Sequence, residues 1–239
     1  NFNWDAVQGT LNIGQLGHTV AGLSLEIAGS FRLPVTTSTL GIVYQGVSRF
    51  IHTYPEISSL FIGVNAGNLT NSGTGNIGIG RVSLSALTTG LDNFAAGYLA
   101  LDALTQGSQN VAIGNDALGA LVGVTASSGI GNTAIGYNAM ASSTLTNFST
   151  AIGYQAGNLI TGDNNLVVGY RAGNNITSGT NNVVLGVDID APSATTSNQL
   201  NIGNILFGTG VSGTGTTVSS ANLAIGTTAF PSTGTWGLV

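Results

Sequence analysis

Short apolar runs ending in glycine recur along the chain at a nearly constant spacing. The glycines are Gly63, Gly80, Gly97, Gly114, Gly136, Gly153, Gly169, Gly186 and Gly203, with a looser copy at Gly226. Among the first nine, six intervals are of 17 residues, one of 22 and one of 16. Immediately before the glycine stand Ile62, Ile79, Ile113, Ile135, Ile152, Val168, Leu185 and Ile202. Two positions earlier stand Leu60, Ile77, Phe94, Val111, Leu166, Val183 and Leu200. Such alternation predicts short strands with both columns on one face. Seven residues beyond the glycine come Leu87, Leu104, Leu121, Ile160 and Ile176, which are expected to line the opposite wall. Turn residues fall between copies, as in Gln106-Gly107-Ser108 and Ser178-Gly179-Thr180. A helical-hairpin repeat needs about 33 residues or more and a propeller blade about 40, so neither fits. The period suits one turn of a narrow solenoid: two short strands and two tight turns.

The expected fold is all-β, a parallel β-roll or β-solenoid of about ten rungs, with a regular part about 45 Å long at the usual strand spacing. Residues 1–58 read as a β-rich N-terminal cap or attachment segment, 59–187 as the regular repeat, and 188–239 as looser repeats with a C-terminal cap or joint. Stacking places like residues above one another. Asn76, Asn93, Asn110, Asn132, Asn165, Asn182 and Asn222 then form an amide ladder that bonds rung to rung, or alternatively a polar binding strip. Between the large apolar positions lie Ala95, Ala112, Ala134, Ala151 and Ala224, with Gly78, Val167 and Val184 in other copies. A strand apolar on both sides is normally covered on both. One thin solenoid covers one side, so these small residues are expected to pack against another chain.

Composition narrows the function. Charged residues are 5 % of the chain, with four arginines, no lysine, nine acids and a net charge of -5. Nucleic-acid binding is excluded, because phosphates call for clustered cations. No cysteine is present, which removes disulfides and thiolate chemistry. No apolar run approaches the roughly 18 residues of a membrane-spanning helix, so no membrane insertion is expected.

The unit Asn110-Val-Ala-Ile-Gly114, repeated as Asn132-Thr-Ala-Ile-Gly136, Ser149-Thr-Ala-Ile-Gly153 and Asn165-Leu-Val-Val-Gly169, is followed two residues later by a small residue, as in Asn115-Asp116-Ala117 and Tyr154-Gln155-Ala156. This unit resembles the head repeat of trimeric autotransporter adhesins of the YadA type and related phage tail-fibre segments, over residues 59 to about 203. The resemblance implies a left-handed parallel β-roll, three chains around one axis, and an extracellular location on a cell surface or virion. It also implies a structural and adhesive role, with a second and third copy of the chain as partners and a cell-surface glycan or receptor as ligand.

Candidate chemistry is sparse. Tyr98, Tyr137, Tyr154 and Tyr170 follow the repeat glycine and are candidates for a ligand-binding row, with chain–chain contact as the other reading. The five extra residues within 121–130 predict a surface loop. Gly73-Thr-Gly75-Asn-Ile-Gly78 and Gly208-Thr-Gly210-Val-Ser-Gly213 match a dinucleotide fingerprint, but neither opens a helix in a βαβ unit. Asp188 and Asp190 read as a solvated turn rather than a cation site. For catalysis the chain offers Glu26, Glu56 and scattered aspartates such as Asp92 and Asp102, with His18 and His52 outside the strict repeat. No nucleophile elbow accompanies them. No catalytic residue, metal or cofactor is therefore assigned, and the chain is not expected to be an enzyme. A polysaccharide-cutting spike and a self-assembling filament subunit are the alternatives. Asn68, Asn147 and Asn175 open formal glycosylation sequons. An ice-binding face needs a regular threonine array, and only Thr133 and Thr150 align in adjacent rungs.

Trypsin has few sites here, and a compact solenoid protects them. Native protein is expected to outlast denatured protein by a wide margin when digestion is followed on a gel. Cleavage at Arg81 and Arg171 at the same rate in both states would contradict the solenoid.

Overall fold

The computed structural model describes residues 2–5, 10–13, 42–45, 47–54, 58–211 and 222–226. The chain divides into units Asn1–Leu33 and Pro34–Val239. In the first, β1 (Phe2–Asp5) and β2 (Thr10–Ile13) pair antiparallel. The second contains β3 (Val43–Gln45), β4 (Ser48–His52), β5 (Leu60–Ile62), β6 (Ile77–Ile79), β7 (Phe94–Ala96) and β8 (Val111–Ile113). After these come β9 (Thr133–Ile135), β10 (Thr150–Ile152), β11 (Leu166–Val168), β12 (Val183–Leu185), β13 (Gln199–Ile202), β14 (Leu206–Thr209) and β15 (Asn222–Ile225). No helix occurs among the described residues. Of the residues named above, His18, Glu26, Glu56 and Gly213, and the side chain of Asn222, lie outside the described ones.

Strands β5 to β13 form one parallel sheet in chain order, so nine strands bound eight complete turns of a β-solenoid. Register is strict: Phe94 pairs with Val111, Val111 with Thr133, and Thr133 with Thr150. The expected ten rungs are not reached. The copy ending at Gly226 belongs to β15, which pairs antiparallel with β14, itself antiparallel to β13. At the other end β4 runs antiparallel to β5, with β3 outside it. Antiparallel hairpins therefore cover both ends of the parallel stack, a common way to blunt exposed strand edges.

Each rung binds its neighbours through the backbone. Ile77 N–H donates to the Asn93 carbonyl, Phe94 to Asn110 and Val111 to Asn132, all at 2.8 Å. Within the parallel stack the glycine closing a strand is required twice over. Gly97, Gly114, Gly136 and Gly153 have φ of 152°, 137°, 135° and 136°, a region L-residues rarely adopt. A Cβ on Gly136 would also strike the Gly153 carbonyl of the next rung.

The faces of the strand are reversed relative to expectation. The middle residues, Ala95, Ala112, Ala134, Ala151, Val167 and Val184, are fully buried inside the chain's own core. The larger flanking columns point outward, leaving Ile79 40 % exposed and Ile113 38 %. The small residues thus do not pack on another chain. The reason is the width of the rung. The opposite side sends in two side chains per turn, Leu84 with Leu87, Leu101 with Leu104 and Leu118 with Leu121, all fully buried. Little volume remains for the strand.

Within a rung the two walls compensate at close-packed density. Phe61 faces Gly67, whose Cβ would lie 2.5 Å from Phe61 Cδ1. A Cβ on Gly78 would lie 2.9 Å from Phe61 Cδ1 of the preceding rung, while Ala112 shares its rung with Leu118, Ala134 with Met140 and Val167 with Gly173. A Cβ on Gly173 would stand 2.6 Å from Val167 Cγ1. To turn inward, Leu84, Leu101, Leu118 and Met140 take left-handed φ of 51°, 53°, 53° and 52°, at a local cost that burial offsets.

The asparagines run along the edge of the core, buried throughout. Oδ1 of Asn76 accepts from the N–H and Nδ2 of Asn93, both at 3.0 Å. Asn93 Oδ1 serves Asn110 in the same way (3.1 and 2.9 Å), and Asn110 Oδ1 serves Asn132 (3.0 and 3.1 Å). Amides of the ladder also tie down the following turn: Asn93 Nδ2 donates to the Gly107 carbonyl at 2.9 Å and Asn110 Nδ2 to Gly129 at 2.7 Å. Ser149 replaces asparagine in one rung, and there Thr146 Oγ1 donates to the Gly162 carbonyl at 2.8 Å. Asn165 and Asn182 continue the series to Gln199. Asn222 lies in β15 and has no place in a parallel rung.

The 22-residue interval leaves this ladder intact. Gly123 and Gly129 accept hydrogen bonds from Gln106 N–H (3.0 Å) and Asn110 Nδ2, and the extra residues between them loop outward in a turn closed by Thr125 and Ser128. Replacing Asn110 by alanine leaves the Asn132 N–H and the Gly129 carbonyl without side-chain partners. The expected loss is about 2–3 kcal/mol, read from urea unfolding. A change within error would show that the ladder does not hold the rungs.

Candidate functional site

Three features of the surface carry chemistry. The first is the outer face of the β5–β13 sheet. Two columns cover it: Leu60, Ile77, Phe94, Val111, Thr133, Thr150, Leu166, Val183 and Leu200 in one, and Ile62, Ile79, Ala96, Ile113, Ile135, Ile152, Val168, Leu185 and Ile202 in the other. None is charged and two are threonine. Nine strands at a spacing of about 4.8 Å make a strip roughly 40 Å long. An apolar patch of that extent exceeds what monomeric soluble proteins usually expose.

The second is the tyrosine row, beside that strip and just past the glycine corner. Tyr137 and Tyr154 stack at 5.1 Å between ring centroids with planes 13° apart, and Tyr154 and Tyr170 at 5.4 Å and 15°. Parallel register fixes this, because each tyrosine follows a glycine that stacks on the next glycine. Tyr98 stands apart: Asn115 occupies the intervening rung, and the Arg81 guanidinium sits 5.3 Å from the Tyr98 ring centroid. The rings turn their faces toward one another and their rims to solvent. A sugar ring seeking an aromatic face finds one only at the ends of the stack.

The third is the corner around the extra loop. Val124, Leu145 and Phe148 are exposed there, Phe148 by 60 %. Phe148 occupies a left-handed position (φ 52°) that other rungs give to Gly75, Asp92, Gln109, Asn164, Asn181 and Asn198. A Cβ on Gly131 would lie 2.8 Å from the Phe148 ring. Reading the sequence for strands passed over this residue. The signal was present as an aromatic interrupting a column of small or amide side chains.

The other candidates are spread out. Asp188 pairs with Arg171 at 3.4 Å on the surface, and Asp190 accepts from Asn175 N–H at 3.1 Å. Among the described residues no group of three or more His, Asp or Glu is placed to hold a metal ion. Asn147 and Asn175 of the sequons donate to Asp163 and the Ala191 carbonyl, whereas the Oδ1 of Asn68 accepts from both N–H and hydroxyl of Thr70. His52 is buried: its ring stacks 4.9 Å from Phe61, and Nε2–H donates to the Ala66 carbonyl at 2.8 Å. Burial, with the nearby Arg49 charge, holds it below the ordinary imidazole value despite that hydrogen bond.

Among the described residues, Asp102 has Asp116 as a carboxylate neighbour. Burial first, and the Asp116 charge second, raise the Asp102 carboxyl above its ordinary value; burial raises Asp116 as well. No protein-family model, curated protein or solved structure matches the chain.

A carboxyl whose folded-state pKa is raised contributes stability below its unfolded value of 3.8 and loses it as pH climbs through the folded value. Asp102→Asn is therefore expected to raise the thermal midpoint at pH 7, with the difference vanishing below pH 3.8. An equal gain at both pH values would assign the effect to packing instead of charge.

Proposed function

We propose that this chain is a rigid structural and adhesive segment of an extracellular fibre, on a cell surface or a virion, and that three copies associate through the outer face of the β5–β13 sheet. The observation that carries the reading is the uncharged apolar strip running the length of the solenoid. A single chain leaves it in water, and burying it against itself supplies the driving force for association. Antiparallel hairpins at both ends and eight hydrogen-bonded turns suit a load-bearing spacer. The resemblance of the repeat to trimeric adhesin heads and tail fibres agrees with this role. The ends of the tyrosine row and the Phe148 corner flank the strip and are the surfaces offered to a glycan or other receptor. In this role the protein acts through geometry, without catalysis, metal or cofactor.

A filament is the second reading. It is favoured by β3 and β15, each of which has one sheet neighbour among the described strands; open backbone groups at both ends can accept a further strand.

Light scattering after size exclusion is expected to give a discrete particle of three times 23.9 kDa. The pair Ile113→Glu and Ile152→Glu places charges in the strip, which association would have to desolvate, and is expected to yield monomers of unchanged circular dichroism. A monomeric parent protein would sink the proposal. Open-ended polymers that persist in the double variant would transfer it to the strand ends.

A further inference from the structure

The tyrosine stack has a chemical capacity that does not depend on the fibre reading. Tyr137, Tyr154 and Tyr170 are 46 %, 44 % and 47 % exposed. Their rings are nearly parallel, with centroids 5.1 and 5.4 Å apart. Their hydroxyls have no hydrogen-bond partner among the described residues. At that separation each phenol ring has the next as its nearest neighbour along the row, and rotation about the side-chain torsions suffices to bring a carbon ortho to one hydroxyl against its counterpart. The backbone beneath is pinned: Gln155 N–H donates to the Tyr137 carbonyl and Arg171 N–H to the Tyr154 carbonyl, both at 2.8 Å. The phenols are thus held as neighbours while their side chains stay accessible from solvent.

We propose that this row is a site of oxidative cross-linking, in which Tyr154 couples to Tyr137 or Tyr170 as dityrosine when the protein meets a one-electron phenol oxidant such as a haem peroxidase with hydrogen peroxide. Each of two phenols loses one electron and its hydroxyl proton to give a phenoxyl radical. The radicals join by a carbon–carbon bond between ortho carbons. The hydrogens on those carbons then move to the oxygens, restoring both aromatic rings. The two electrons and two protons released reduce one hydrogen peroxide to two waters. The product is a covalent tie between consecutive rungs, added where the rungs are otherwise joined by hydrogen bonds and packing.

Tyr98 is the internal contrast. It has comparable exposure, at 40 %, but its neighbours along the row are Arg81 and Asn115, so no second phenol is within reach. Tyr137 and Tyr170 are likewise separated from each other by the Tyr154 rung.

The test treats purified native protein with peroxidase and hydrogen peroxide, and follows dityrosine fluorescence, denaturing gels and peptide mass mapping after thermolysin digestion. The expected result is dityrosine whose yield per chain is constant on dilution. Gels should retain the single-chain band, and mapping should find joined peptides bearing Tyr154 with Tyr137 or Tyr170, lighter by two hydrogen atoms. Tyr154→Phe keeps the ring and is expected to lower the yield by about tenfold or more, because the proximity advantage is gone. Tyr98→Phe should leave it unchanged. The double variant Tyr137→Phe/Tyr170→Phe, with Tyr154 intact, should match Tyr154→Phe and guards against a folding artefact in the single variant. Absence of dityrosine in the parent protein, full yield in Tyr154→Phe, or yield that rises with protein concentration and joins separate chains would each overturn the proposal.

Discussion

The structure depends on one constraint: the backbone polar groups of a rung find their partners in the rungs above and below. A turn of this solenoid has no sheet of its own. Its amides and carbonyls bond along the axis, as Phe94 to Asn110 and Val111 to Asn132 show, and a buried peptide group without a partner is costly. Every rung must therefore return to the same place after each turn, and deviations have to leave the stack. The five extra residues after Gly123 do so, looping outward while Asn110 and Asn132 keep their contact. The ladder enforces the same rule from the side chains, since Asn76, Asn93 and Asn110 each bind the next amide and the turn beyond.

That constraint shapes the core. Axial stacking brings backbones so close at the glycine corner that a Cβ there has no room. It also confines the interior to a width that two leucines from one wall nearly fill. The strand opposite contributes alanine, glycine at Gly78 where the Phe61 ring of the preceding rung fills the space, and valine at Val167 and Val184, the first of them beside Gly173. Such a core buries little per rung, and stability accumulates through repetition, as in other solenoids. The same narrowness pushes the larger strand residues outward. The apolar outer strip is thus a consequence of a small core combined with a strand that is apolar on both sides.

Chemistry on this scaffold lies at its periphery. Acids are scattered over turns, His52 is enclosed next to Phe61 in β4, and the Asp116 charge adds to burial in raising the Asp102 carboxyl. What repeats outside the core is aromatic and apolar: the strip, the tyrosine stack and the Phe148 corner. Repetition turns three unremarkable tyrosines into a contiguous stack, because parallel register carries any side chain at one position onto its equivalent one rung away.

The 17-residue period, the strands before each glycine, the turns between copies and the column of asparagines were all legible in the chain. They rest on local chemistry repeated in register, and repetition makes weak local signals additive. Asn222 shows where that legibility ends, since its motif matches the repeat while its strand pairs antiparallel. The sense of the strand was not legible either. Alternation separates Ile113 from Ala112 but does not say which turns inward; that was decided by Leu118 and Leu121 entering from the far wall, a contact between residues that the strand pattern does not connect. The tyrosines could be aligned from the sequence, yet whether they offer faces or edges depended on the actual rung spacing and ring orientation. Period and secondary structure belong to the sequence because they follow from each residue's own conformational preferences. Inside and outside belong to the tertiary structure because they follow from competition for one narrow volume.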